Sequence, residues 1–218
     1  MDQYLPANAI VDKFIAKTKF YQKTFISSKL KNEFTDKIKK ITWKYKLAED
    51  TLGISKTENV TEIQIFEIEL KEQLIPKTVL KVIDKAIPYP ILYRFLFKDN
   101  VAFGITLKGA ILKNIAGTEK LNQGYYFSEW NEVLEFDFTS TDLEKIYQKL
   151  IKLFIRDEVK SDKNFEAVIK TDNQIKSLEK EITLLSNKVF KEKQFNKKVE
   201  LNKSLLDKKQ QLKSLIKN

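Results

Sequence analysis

Ile91-Leu-Tyr-Arg-Phe-Leu-Phe97 and Val101-Ala-Phe-Gly-Ile-Thr-Leu107, joined by Lys98-Asp99-Asn100, decide the fold. Both runs are rich in aromatic and β-branched residues. The polar triplet between them suits a tight reversal, so the pair reads as an antiparallel hairpin. Working outward, residues 61–70 have the same composition and read as another strand. Pro76 then stands at the first position of a helix predicted to run to about Ala86. Further strands are expected at residues 124–130 and 133–138. Thr141-Asp-Leu-Glu144 has the form of a capping box and opens a helix carrying Leu143, Ile146, Leu150 and Phe154. Near the start, Ile10, Phe14 and Ile15 suggest a short helix over residues 7–17. Leu30, Phe34, Ile38, Ile41 and Tyr45 recur at intervals of three or four, which predicts an amphipathic helix over residues 28–47.

A charged stretch at residues 156–164 marks the expected boundary of this first region. Beyond it, Thr171-Asp-Asn-Gln174 reads as a second capping box. Ile175, Leu178, Ile182, Leu185 and Val189 then form a heptad seam. A second seam, Leu201, Leu205, Leu212 and Leu215, is out of phase with the first, the slip falling around residues 191–198. Either a helical hairpin or one long helix with a stutter satisfies that pattern, and the hairpin is the preferred reading. The expected fold class is α+β: residues 1–160 form a mainly antiparallel sheet with packed helices, and residues 165–218 a basic C-terminal helical hairpin or coiled coil.

Composition removes whole classes of chemistry. The 218 residues include no cysteine and no histidine. Disulfides, thiolate nucleophiles, zinc fingers and iron–sulfur clusters are thereby excluded, as are Ser-His-Asp and Cys-His catalysis. With five glycines, neither GxxxxGK[ST] nor GxGxxG occurs, which argues against nucleotide-hydrolysing motors and dinucleotide enzymes. There is no apolar run long enough to cross a membrane, and Asp2, Asp12 and Lys13 interrupt any signal-peptide pattern. The expectation is a cytoplasmic protein without a membrane.

The formal charge of +10 favours a polyanionic partner, although a coding sequence rich in A and T also inflates lysine. Arginine occurs only at Arg94 and Arg156, so the forked donor that reads guanine edges is nearly absent. Any nucleic-acid binding is expected to be non-specific. From Asp172 onward twelve lysines face six carboxylates, which places six of the ten excess charges in the tail. There Lys191, Lys193, Gln194, Phe195, Asn196, Lys197 and Lys198 interrupt the seam and are the candidate nucleic-acid or partner-binding residues, against the alternative of a solvated coiled-coil face.

Glu67, Glu69 and Lys71 alternate along one strand and match the [DE]xK element of a Mg²⁺-dependent nuclease core, in which carboxylates bind the metal and the lysine sits near the attacking water. Such a core also needs an acidic residue on a preceding strand. The region between the helix at residues 28–47 and Thr61 offers no evident strand to carry one. These three are therefore low-ranked catalytic candidates, with Mg²⁺ as cofactor only in that alternative. No cofactor and no other metal site is expected. Trp43, Tyr45, Tyr89, Tyr93, Tyr125, Tyr126 and Trp130 would serve as a base-stacking platform or, more ordinarily, as core. Asp84 and Lys85, ahead of Pro88 and Pro90, mark a polar helix end.

Five segments carry a family resemblance: Phe14-Ile-Ala-Lys17, Trp43-Lys-Tyr-Lys-Leu47, Ile65-Phe-Glu-Ile-Glu-Leu-Lys71, Ile83-Asp-Lys-Ala-Ile-Pro-Tyr-Pro90 and Glu192-Lys-Gln-Phe-Asn-Lys-Lys-Val-Glu-Leu-Asn202. Together they resemble the bacterial domain of unknown function family numbered 4391 over nearly the whole chain. Members of that family often lie beside helicases and site-specific DNA methyltransferases of restriction or phage-defence type. The resemblance thus implies a supporting role with such a protein partner and transfers no catalytic residue. The resulting expectation is a non-enzymatic accessory protein that docks a helicase or methyltransferase and contacts nucleic acid. A divergent nuclease and a purely structural homo-oligomerisation module through the tail are the alternatives.

Overall fold

The computed structural model describes residues 5–23, 26–108, 124–160 and 164–217. Six strands lie in one sheet in chain order: β1 (Ile10–Phe14), β2 (Ile38–Ala48), β3 (Glu62–Leu70), β4 (Ile91–Phe97), β5 (Asn100–Thr106) and β6 (Tyr125–Phe127). Every neighbouring pair is antiparallel except β3–β4. A parallel pair needs a crossover, and the helix α4 (Lys77–Ala86) supplies it. The remaining helices of this region are α1 (Thr18–Lys23), α2 (Ser28–Lys37), the single turn α3 (Glu49–Leu52) and α5 (Leu143–Lys152). In the β4–β5 hairpin Phe97 pairs with Asn100, so the reversal is the two residues Lys98 and Asp99, with Lys98 at φ 52°.

The sheet is buried on both faces. Phe66, Ile68, Leu70, Tyr93 and Phe95 share one core cluster with Phe34 of α2 and Val79, Leu80 and Ile83 of α4. Alternation sends Ile63, Ile65, Leu92 and Ile105 to the other face, where they are fully buried and α5 packs across β3 and β5. Gly104 fits between aromatic rings: a Cβ there would lie 2.7 Å from the Phe127 ring of the adjacent strand and 3.0 Å from that of Phe95.

Four sequence expectations are corrected. The stretch 28–47 is helical only to Lys37, and Ile38 onward is β2. Its helix-like spacing arises from irregularities in the strand, with register shifts between Ile38 and Lys40 and between Trp43 and Tyr45. The first shift adds a residue to the two-residue strand period, so Ile38 and Ile41 share a face three residues apart, and the second turns Tyr45, four residues further on, to the opposite face. Residues 7–17 form a 3₁₀ turn (Ala7–Ala9) followed by edge strand β1, whose Ile10 and Phe14 are exposed rather than core-facing. Residues 133–138 join no ladder, although Phe136 and Phe138 are buried, with Phe136 packed edge-on against Phe103. Neither capping box forms as expected. Asp142 caps α5 by accepting from the Lys145 N–H, while Glu144 accepts from Thr57 and Asn59 instead. Thr171–Gln174 lies inside a helix that Asn164 caps two turns earlier.

A second compact unit begins after Phe154. It contains α6 (Asp157–Lys160) and two long helices, α7 (Phe165–Lys191) and α8 (Phe195–Lys217), joined by three residues. The long helices pack on each other as a hairpin, and Lys208 of α8 reaches Glu181 of α7 at 2.8 Å. In the seam Ile175 and Leu205 are buried, and Leu178, Ile182, Leu185, Val189, Leu201, Leu212 and Leu215 are half-buried. The phase slip is the turn.

Candidate functional site

Glu67 and Glu69 do lie on one face of β3, but cations occupy both. Arg94, opposite Glu67 on β4, approaches its carboxylate at 3.4 Å. Lys39 and Lys40 of β2 approach Glu69 at 3.0 and 3.8 Å. Lys71 falls beyond the strand end, where its N–H donates to the Lys37 carbonyl. The preceding strand that the sequence reading did not find is β2, so that reason for ranking the nuclease low is corrected. The carboxylate it would have to supply is not there: Thr42 stands opposite Glu67 and Lys40 opposite Glu69. Among the described residues no cluster of three carboxylates is placed to hold a metal ion.

The aromatic set divides between core and rim. Tyr45, Tyr93 and Tyr126 are buried, and Trp43 stacks on Phe66 while its indole N–H donates to the Tyr45 carbonyl at 3.0 Å. These four pack into the fold, while Tyr89, Tyr125 and Trp130 are half-buried.

A polar cluster that the sequence reading caught only at Asp84 sits under the C-terminal end of α4. The Lys108 ammonium, 12% exposed, lies 2.7 Å from the Asp84 carboxylate, itself 11% exposed. It also donates to the carbonyls of Asp84, Ile87 and Tyr89 at 3.1, 2.9 and 3.0 Å. These carbonyls close a helix end, where a cation complements the helix dipole. Tyr125 donates to the same carboxylate, and Tyr147 donates to the Thr106 carbonyl while accepting from the Lys108 N–H. Burial lowers the Lys108 pKa against the opposing pull of Asp84, and burial raises the phenols of Tyr93, Tyr125 and Tyr147. An acidic residue next to Ile83 and four after Leu80, on the buried side of a helix, was the available signal: a carboxylate placed there requires a counter-charge. Its partners come from three other elements, so their identity was not legible. Lys85 faces elsewhere, onto a groove of about 440 Å³ between α2 and α4 that Lys29, Lys81 and Glu33 also line.

The hairpin turn behaves differently. Lys191 ends α7, Lys193 and Gln194 form the connector, and Phe195, Asn196, Lys197 and Lys198 begin α8; all seven are exposed. The structure adds Phe190, missed because it adjoins the seam residue Val189; it is 87% exposed, and Phe195 is 78% exposed. The apolar seams meanwhile find each other within the chain.

These features define a mixed-sheet α+β domain with a basic helical hairpin. The chain belongs to the family described as Domain of unknown function (DUF4391), whose model matches residues 4–212. No curated protein and no solved structure matches it. Among the described residues no helix is long and apolar enough to cross a membrane.

Proposed function

We propose that this protein is a non-enzymatic accessory protein of a restriction or phage-defence type DNA-processing system in the cytoplasm. The sheet domain docks on a helicase or DNA methyltransferase, and the hairpin contacts that partner or nucleic acid. The observation that carries the reading is the hairpin turn, where phenylalanines and lysines stand exposed on an element whose own apolar seam is already closed. The ion-paired state of Glu67 and Glu69, with no carboxylate opposite them on β2, supports it against the Mg²⁺-dependent nuclease alternative. The family resemblance supports the partner class.

The test is co-expression of the full chain with a helicase and with a DNA methyltransferase of restriction type, followed by affinity purification and a Mg²⁺-dependent DNA cleavage assay. A stable complex without cleavage is expected. Failure to bind either protein sinks the accessory role, and cleavage abolished by Glu69→Gln establishes the nuclease instead.

A further inference from the structure

We infer that the α7–α8 turn is a binding site for single-stranded nucleic acid, in which Phe190 and Phe195 stack on unpaired bases and the surrounding lysines neutralise phosphates. The inference deepens the reading of the hairpin as a contact element. It starts from the two rings. They are the most exposed phenylalanines among the described residues, at 87% and 78%. Among the described residues no other ring pairs with either and no cation lies over them, so their faces are open to solvent.

Charge selects the occupant. Between Lys188 and Lys198 five lysines accompany the single carboxylate of Glu192, which accepts from the Gln194 N–H at 2.8 Å. The ion pairs of this unit lie elsewhere among the described residues, at Arg156–Glu179, Lys176–Asp172 and Lys208–Glu181. A second copy docking turn to turn would set unpaired ammonium groups against their own kind. A polyanion instead gains affinity by releasing its counterions to them. The rings then decide which polyanion. A lysine patch alone favours duplex DNA, whose charge density is the higher. Phenylalanine adds affinity only where base faces are free, in a single strand, a loop or an end. Neither α7 nor α8 contains an arginine, and Arg156 ahead of them is held by Glu179, so little base-edge reading is expected and binding is sequence-tolerant.

The experiment is fluorescence anisotropy of the full-length protein with a labelled oligothymidylate and with the matching dA·dT duplex, over a series of salt concentrations. The single strand binds more tightly. The F190A/F195A double variant loses about tenfold or more on the single strand, from the usual worth of base–aromatic stacking, and leaves duplex affinity unchanged. Lys→Gln at positions 191, 193, 197 and 198 each lowers the log–log salt slope on the single strand by about 0.7. Circular dichroism confirms that the variants keep their helices. Independently of any variant, a photoreactive 5-iodouracil oligonucleotide crosslinks the unmodified protein at Phe190 or Phe195. Equal affinity for duplex that ignores the phenylalanines reduces the site to a lysine patch and overturns the inference. So do binding to phosphatidylglycerol vesicles in place of the oligonucleotide, crosslinks that map elsewhere, and no binding at all. Loss of oligonucleotide binding with the protein complex intact removes this inference alone, whereas the converse removes the accessory role and leaves the site standing.

Discussion

The Asp84–Lys108 cluster and the hairpin turn both gather lysine with aromatic rings, and they handle them in opposite ways. Under α4 the ammonium is nearly shut off from water and meets one carboxylate and three carbonyls. At the turn the lysines and both phenylalanines stand in solvent. A buried charge must be compensated inside the fold, because removing it from water costs several kcal/mol. An exposed one is free for a ligand. The same residue types therefore mark a structural lock in one place and a contact surface in the other, and burial separates the two.

Lys108→Met leaves the Asp84 carboxylate buried without its counter-charge and should cost about 3–5 kcal/mol in urea unfolding. A loss below about 1 kcal/mol, the range of exposed pairs, would place the pair in effective contact with water.

The hairpin has its own weak point in the seam. Leu205 is 8% exposed, so Leu205→Ala should destabilise the hairpin by about 2–4 kcal/mol, read as urea-dependent loss of helicity. Leu185→Ala, at a half-buried seam position, should cost less. Equal losses at the two positions would show that exposure does not grade the seam.

The smallest effect sharpens the lock through pH. Because burial raises the phenols of Tyr93, Tyr125 and Tyr147, the unfolded chain sheds their protons first, from about pH 10. Their contribution to stability is complete below that pH and is lost above it. Lys108 opposes this: its depressed pKa adds stability as pH rises toward the ordinary lysine value. With three phenols against one ammonium, urea midpoints should fall between pH 10 and 11. Tyr125→Phe should cost about 1 kcal/mol at pH 8 by removing a hydrogen bond, and should make the alkaline fall shallower. An unchanged slope in that variant would mean that the Tyr125 phenol is not held protonated by its surroundings.

The sequence by itself determined the elements with a clean period. The β4–β5 hairpin, β3, α4 and the two-helix tail with its turn near residue 193 follow from alternation, turn chemistry and the phase slip between seams, all local signals. The seven exposed residues of the turn were legible for the same reason, since polar and aromatic groups break a heptad visibly. Tertiary structure decided the rest. Strand β2 was hidden because its bulges reproduce a helical spacing, and only pairing with β3 shows that Ile38 and Ile41 face one side of the sheet while Tyr45 and Leu47 face the other. Glu67 and Glu69 look like metal ligands in one dimension. Register alone puts Arg94 and Lys40 opposite them. Lys108 reached its carboxylate from 24 residues away, through a fold that places the end of β5 beneath the end of α4, because a charge buried by packing is paired by whatever cation the topology brings within reach.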